Sequence, residues 1–144
     1  MYKLTSKWHD ALDMPKYDKE WHKNDIADEY KEYLDENNII KKWSELSDVV
    51  YTHSRANWSG YKIDYPLNKV TIPIGLMYMY PKYSLRYLFY KRAGHKLNKK
   101  IHLKEVRNPK KIHKLKTIAQ RNGLGEEEFV KTCQQFLKHW ILIP

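Results

Sequence analysis

Forty consecutive residues, 82 to 121, hold fourteen Lys and Arg against one carboxylate, Glu105, a formal charge of about +13. A density of that kind attracts polyanions and repels most other partners. Tyr83, Tyr87, Phe89 and Tyr90 are interspersed with the cations, so the segment is expected to fold into a cation-bearing surface rather than a solvated basic tail. The acidic residues lie elsewhere: residues 1–48 carry twelve Asp and Glu against eight Lys.

A chain of 144 residues is expected to form a single domain (1–144) with a real core. With 42% apolar and 14% aromatic residues it is too hydrophobic for intrinsic disorder. The single cysteine, Cys133, excludes an intramolecular disulfide and a cysteine-based zinc site, and its place on an apolar helical face makes it a packing residue. There is no signal-like apolar segment and no run of eighteen apolar residues, so a cytoplasmic protein without membrane contact is expected. Lys outnumbers Arg 22 to 5, and Lys, Asn, Ile and Tyr, all with AT-rich codons, are abundant. That usage suggests a phage, a mobile element or a low-GC bacterium as source.

Hydrophobic spacing predicts a mostly α protein of about five helices with little or no β. Residues 1–24 read as an irregular arm whose indoles, Trp8 and Trp21, dock on the core. Residues 25–54 read as an acidic helical pair. Ile26, Tyr30, Tyr33 and Leu34 face inward on the first helix, and Ile39, Trp43, Leu46, Val50 and His53 on the second, with a break at Asn37-Asn38. Residues 55–71 read as loop, and Pro73 restricts 70–74 to extended or edge structure. A basic helical region follows over 81–140. Its first helix opens at Pro81 and stops at Gly94, and a short strand is conceivable at 101–106. The second starts with Asn108 as cap and Pro109 at the first helical position, burying Ile112, Leu115, Ile118 and Ala119. The last buries Phe129, Val130, Cys133, Phe136, Leu137 and Trp140 behind the carboxylates Glu126, Glu127 and Glu128, with Leu124 as a staple on Phe129.

On the 109–122 helix, Lys110, Lys114, Thr117 and Arg121 fall on one line opposite the apolar face, a rail for backbone phosphates flanked by His113 and Gln120. Ile118-Ala119, Gly123-Leu124 and Phe129 have the spacing of a small residue, a glycine corner and following apolar residues. On these residues the segment from Leu115 to Trp140 resembles a helix-turn-helix, a motif that implies DNA binding. It departs from that motif where the second helix should meet the major groove, because its first turn is Glu126-Glu127-Glu128. A hairpin that presents the preceding basic helix is the expected arrangement. Lys82, Arg86, Tyr87, Lys91 and Arg92 mix cations with rings, as single-strand binders do. Arg55 stands in a polar loop, 52–60, that has binding character, with Trp58 expected to pin the loop.

No glycine-rich phosphate loop, dinucleotide fingerprint or zinc spacing is present, so no cofactor, metal or catalytic residue is assigned. The sequence favours a non-enzymatic nucleic-acid-binding protein, DNA or RNA, held mainly by backbone contacts. One alternative is a small adaptor or inhibitor that docks on a host nucleic-acid enzyme, which would expose an apolar patch near Trp8 and Trp21. A third is a small nuclease. Its metal would need clustered carboxylates such as Asp64 with Glu105, and a metal-free version would use His95, His102 and His113.

Overall fold

A computed structural model describes residues 3–65, 67–68, 70–101 and 107–140. Among these the protein is mostly α, with six helices and no strand: α1 (Lys3–Ala11), α2 (Lys19–Asp35), α3 (Ile39–Trp58), α4 (Thr71–Lys96), α5 (Ile112–Arg121) and α6 (Glu126–His139). Two compact units divide the chain, Met1–Pro81 and Lys82–Pro144, and the division falls inside α4.

In the first unit α3 packs against both α1 and α2. The Asp18 carboxylate caps α2 by accepting from the Trp21 amide at 2.8 Å, and the Asn38 side chain caps α3 through the Ile40 and Lys41 amides. Caps of this kind satisfy amides that the first turn of a helix leaves unbonded. Ile26, Leu46, Val49, Val50 and Tyr51 are buried with Leu12 and Met14. Three expectations are corrected here. The 1–24 arm contains α1 and the start of α2. Leu34, Ile39 and Trp43 are exposed rather than buried. The segment expected as loop up to residue 71 contributes its first four residues to α3.

The region around Pro73 is helical rather than extended. Asn68 accepts from the Val70 and Thr71 amides at 2.9 and 2.8 Å, starting α4, and Pro73 then sits in the first turn, where an amide hydrogen is dispensable. Pro81 does not open a helix but lies inside α4, which runs on past Gly94 to Lys96.

The second unit is built around Phe89, Tyr90 and Ala93 of α4, Leu115, Ile118 and Ala119 of α5, and Phe129 and Cys133 of α6. The α5–α6 hairpin expected from the sequence is present. Its corner uses Gly123 at φ +63°, a left-handed conformation that L side chains resist. Burial pushes the Cys133 thiol up to about 12, consistent with a packing role. The Tyr90 hydroxyl donates to the Arg107 carbonyl at 3.0 Å. Asn108 does bond forward, accepting from the Lys110 amide at 3.0 Å, but residues 109–110 form a turn and α5 begins only at Ile112. The possible strand at 101–106 lies, beyond Ile101, outside the described residues.

Candidate nucleic-acid interface

Among the described residues of the 82–121 segment nine cations are exposed: Lys91, Arg92, Lys96, Lys99, Lys100, Lys110, Lys111, Lys116 and Arg121. The rail is shorter than its sequence spacing implied. Lys114, Thr117 and Arg121 share a line on α5, with Lys114 and Thr117 half-buried, whereas Lys110 sits in the preceding turn. His113 is exposed beside them. Gln120, expected to flank the rail, donates instead to the Glu126 carboxylate at 2.7 Å. That contact ties the acidic first turn of α6 to α5, where the carboxylates also complement the helix dipole.

Three expected contact residues are structural, and the correction has one physical form. Lys82 is 1% exposed, Arg86 5% and Arg55 5%. Arg86 lies over the Tyr83 ring at 5.3 Å, and the Lys82 ammonium is 5.9 Å from the same ring. The Arg55 guanidinium stands 4.9 Å from the Tyr17 ring and 5.0 Å from the Trp21 ring, and donates to the Pro15 carbonyl at 3.0 Å. A guanidinium held against ring faces and a carbonyl stabilises the junction of α3 with the chain before α2 and is withheld from any surface ligand. Trp58 does pin its segment: its indole donates to Asp10 at 2.8 Å and packs on His9.

A concave feature of the second unit is a cleft of about 430 Å³ lined by Tyr87, Lys91, His95, Lys99, Lys100 and Ile101, with Asn98 at its turn. Gly94 makes it. After Lys96 the chain turns through Asn98 at φ +51° and folds back so closely that a Cβ on Gly94 would lie 2.7 Å from the Lys99 carbonyl and 2.8 Å from Ile101 Cγ1. The Lys99 amide donates to the Gly94 carbonyl at 2.9 Å. Only glycine admits that approach, and the approach sets Lys99 and Lys100 beside Lys91 and His95 of α4.

Comparison with protein-family models, with curated proteins and with solved structures finds no match.

Sequence reasoning missed an acidic cluster on the α2–α3 hairpin. Glu29 and Glu32, three apart on α2, come together with Glu45 of α3, their carboxylate oxygens within 4.8 Å of one another. Burial first, then Asp48, Glu32, Asp25 and Glu45, raise the Glu29 carboxyl to about 8, and every charge in that set is another carboxylate. Glu45 and Asp48 repeat the three-residue spacing on α3, and this repeat was the available signal, masked by attention to the apolar stripe. Hard oxygen ligands converging from two rigid helices are what a divalent cation needs. The Asp64–Glu105 and His102 alternatives cannot be placed, since residues 102–106 lie outside the described residues; Asp64, His95 and His113 are exposed.

A second buried pair was also missed. His9 Nε2 and Ser54 Oγ are 2.9 Å apart in full burial, and Ser54 donates its proton to the Tyr51 carbonyl at 3.0 Å. His9 is therefore the donor to Ser54, and the pair is a tie between α1 and α3 rather than a nucleophile with its base. Trp8 and Trp21, expected to lie at an exposed apolar patch, are both half-buried. Exposed large apolar side chains gather instead at the α2–α3 turn, at Leu34, Ile39, Ile40 and Trp43. No helix among the described residues is long and apolar enough to cross a membrane.

Proposed function

We propose that the protein binds nucleic acid through the basic surface of its second unit, contacting chiefly backbone phosphates. The observation that carries this reading is the exposure of nine described cations in a segment with a single carboxylate in its sequence. Ordinary helical surfaces mix both signs, whereas α5 itself carries no carboxylate, the acidic residues beside it being those of the first turn of α6. Each phosphate neutralised releases condensed counterions, so affinity falls steeply with salt, by about 0.7 to 0.9 log units per contact for each tenfold rise. Fluorescence anisotropy of labelled single- and double-stranded DNA and RNA, titrated at several salt concentrations, tests it. A triple Lys110→Ala, Lys114→Ala, Arg121→Ala variant should bind more weakly and with a shallower slope. Absence of binding near physiological salt would end this reading and favour a protein partner, for which the apolar α2–α3 turn is the surface to mutate.

A second reading, divalent-cation-dependent chemistry on a phosphate ester, is favoured by the convergence of Glu29, Glu32 and Glu45. A cation there would keep open positions for phosphate oxygens and for an activated water. Mn²⁺ binding followed by calorimetry, with Glu29→Gln and Glu45→Gln, tests it directly. Equal heats for wild type and both variants would dismiss the site.

A further inference from the structure

The cleft behind Gly94 differs from the rest of the basic surface because three lysines and a histidine line one concave space. Lys91 and His95 follow Tyr87 on successive turns of α4, each about 6 Å along the axis. Lys99 and Lys100 arrive from the fold-back, and among the described residues no carboxylate lines the space. The usual reason for cations at a helix C-terminus is the dipole. Lys96 answers to that description together with packing on α6: it lies 5.2 Å over the Phe136 ring and 3.5 Å from Gln135. Lys99 and Lys100 stand beyond the helix and are brought to the cleft by backbone geometry. At one end Tyr87 is 38% exposed, enough to offer part of its ring.

We propose that this cleft is a subsite for a nucleoside 5′-phosphate, with the phosphate held by Lys91, Lys99 and Lys100 and the base laid against Tyr87. A terminal phosphate carries close to two charges at neutral pH in one compact group, whereas an internal phosphodiester carries one on an extended track. Three ammonium groups around one concave space match the first. The volume lies within the range of small-ligand sites, and ring stacking tolerates any base. The same chemistry is presented by a free mononucleotide and by the phosphorylated 5′ end of a strand. In its strand form the proposal rests on the basic-surface reading.

The test uses the full chain and two 3′-labelled single strands of one sequence, one with a 5′-phosphate and one with a 5′-hydroxyl, with unlabelled mononucleotide as competitor. The phosphorylated strand should bind about tenfold tighter. Lys99→Ala with Lys100→Ala should erase that preference, so that the two strands, both weakened by the loss of two surface cations, bind equally. Lys91→Ala should do the same, so the outcome does not hang on one variant. Lys110→Ala with Lys116→Ala, outside the cleft, should weaken both strands equally. Displacement by mononucleotide at micromolar concentration assigns the free nucleotide as ligand, and failure to displace assigns the strand end. Equal affinity of the two strands, together with no mononucleotide binding by calorimetry, overturns the cleft and leaves the basic-surface reading standing. Mononucleotide binding with no strand binding supports the cleft and overturns the surface reading; no binding of either kind overturns both.

Discussion

His9 and Glu29 are pushed by folding in opposite directions, and the first unit should show both in its pH dependence. Burial, then the Arg55 charge, hold His9 at about 4 against a slight opposing pull from Asp10. An unfolded chain binds its proton near 6.5, so stability is lost as pH falls from 6.5 towards 4, by up to roughly 3 kcal/mol. His22 is lowered for the same reasons, burial before Arg55, and acts in the same sense. Glu29 is raised to about 8, so the folded state holds its proton more tightly and stability declines as pH climbs from 4.5 to 8. The slopes oppose one another below pH 6.5, and Glu29 acts alone from there to 8. Urea midpoints followed by tryptophan fluorescence should fall over that alkaline window in the wild type and stay level in Glu29→Gln. His9→Gln should lose part of the acid-side dependence. A wild-type midpoint that is constant from pH 6.5 to 8 would show that Glu29 is ionised throughout, and millimolar Mn²⁺ should produce that behaviour if the carboxylates hold a cation.

Helices with a clear apolar stripe were legible and the others were not. α6 buries Phe129 and Cys133 and half-buries Val130, Phe136, Leu137 and Trp140 on the face its spacing predicts. α5 buries Leu115, Ile118 and Ala119 as expected, whereas Ile112, expected to be buried with them at the first position of α5, is exposed. α1 was missed because its buried positions are Thr5 and His9, which give no hydrophobic period. The N-terminal part of α4 was missed because the helix is apolar on most sides and carries two prolines, each a boundary signal taken alone. Pro81 still forfeits one helical hydrogen bond, so Pro81→Ala is expected to raise stability, by up to about 3 kcal/mol on the propensity scale. A thermal melt that is unchanged or lowered would mean that the ring is needed where it stands. Gly94→Ala should cost about 1–3 kcal/mol, as overpacking does, because its Cβ meets a carbonyl rather than a yielding side chain. The cleft itself was illegible, since Gly94 reads as a helix stop, and nothing in the spacing of Lys99 and Lys100 shows that the chain doubles back.

The charge of the whole molecule is divided by unit. Residues 1–81 hold eleven Lys and Arg against thirteen Asp and Glu, and residues 82–144 sixteen against four, formal charges of −2 and +12. Self-repulsion therefore burdens the second unit, and moderate salt should stabilise it by screening, with little effect on the first. That surface charge was legible from composition, but which cations face outward was not, because Lys82, Arg86 and Arg55 are claimed by aromatic rings. The means to follow the second unit alone is already in the chain. Cys133 is its single thiol, sealed among Phe89, Tyr90 and Phe129 and kept protonated by burial. A sulfhydryl reagent can reach it only during an opening of that core, so its modification rate acts as a clock for breathing in one half of the molecule while the other half stays silent. Raising salt, or adding whichever strand the basic surface holds, should slow that clock with no label introduced by design.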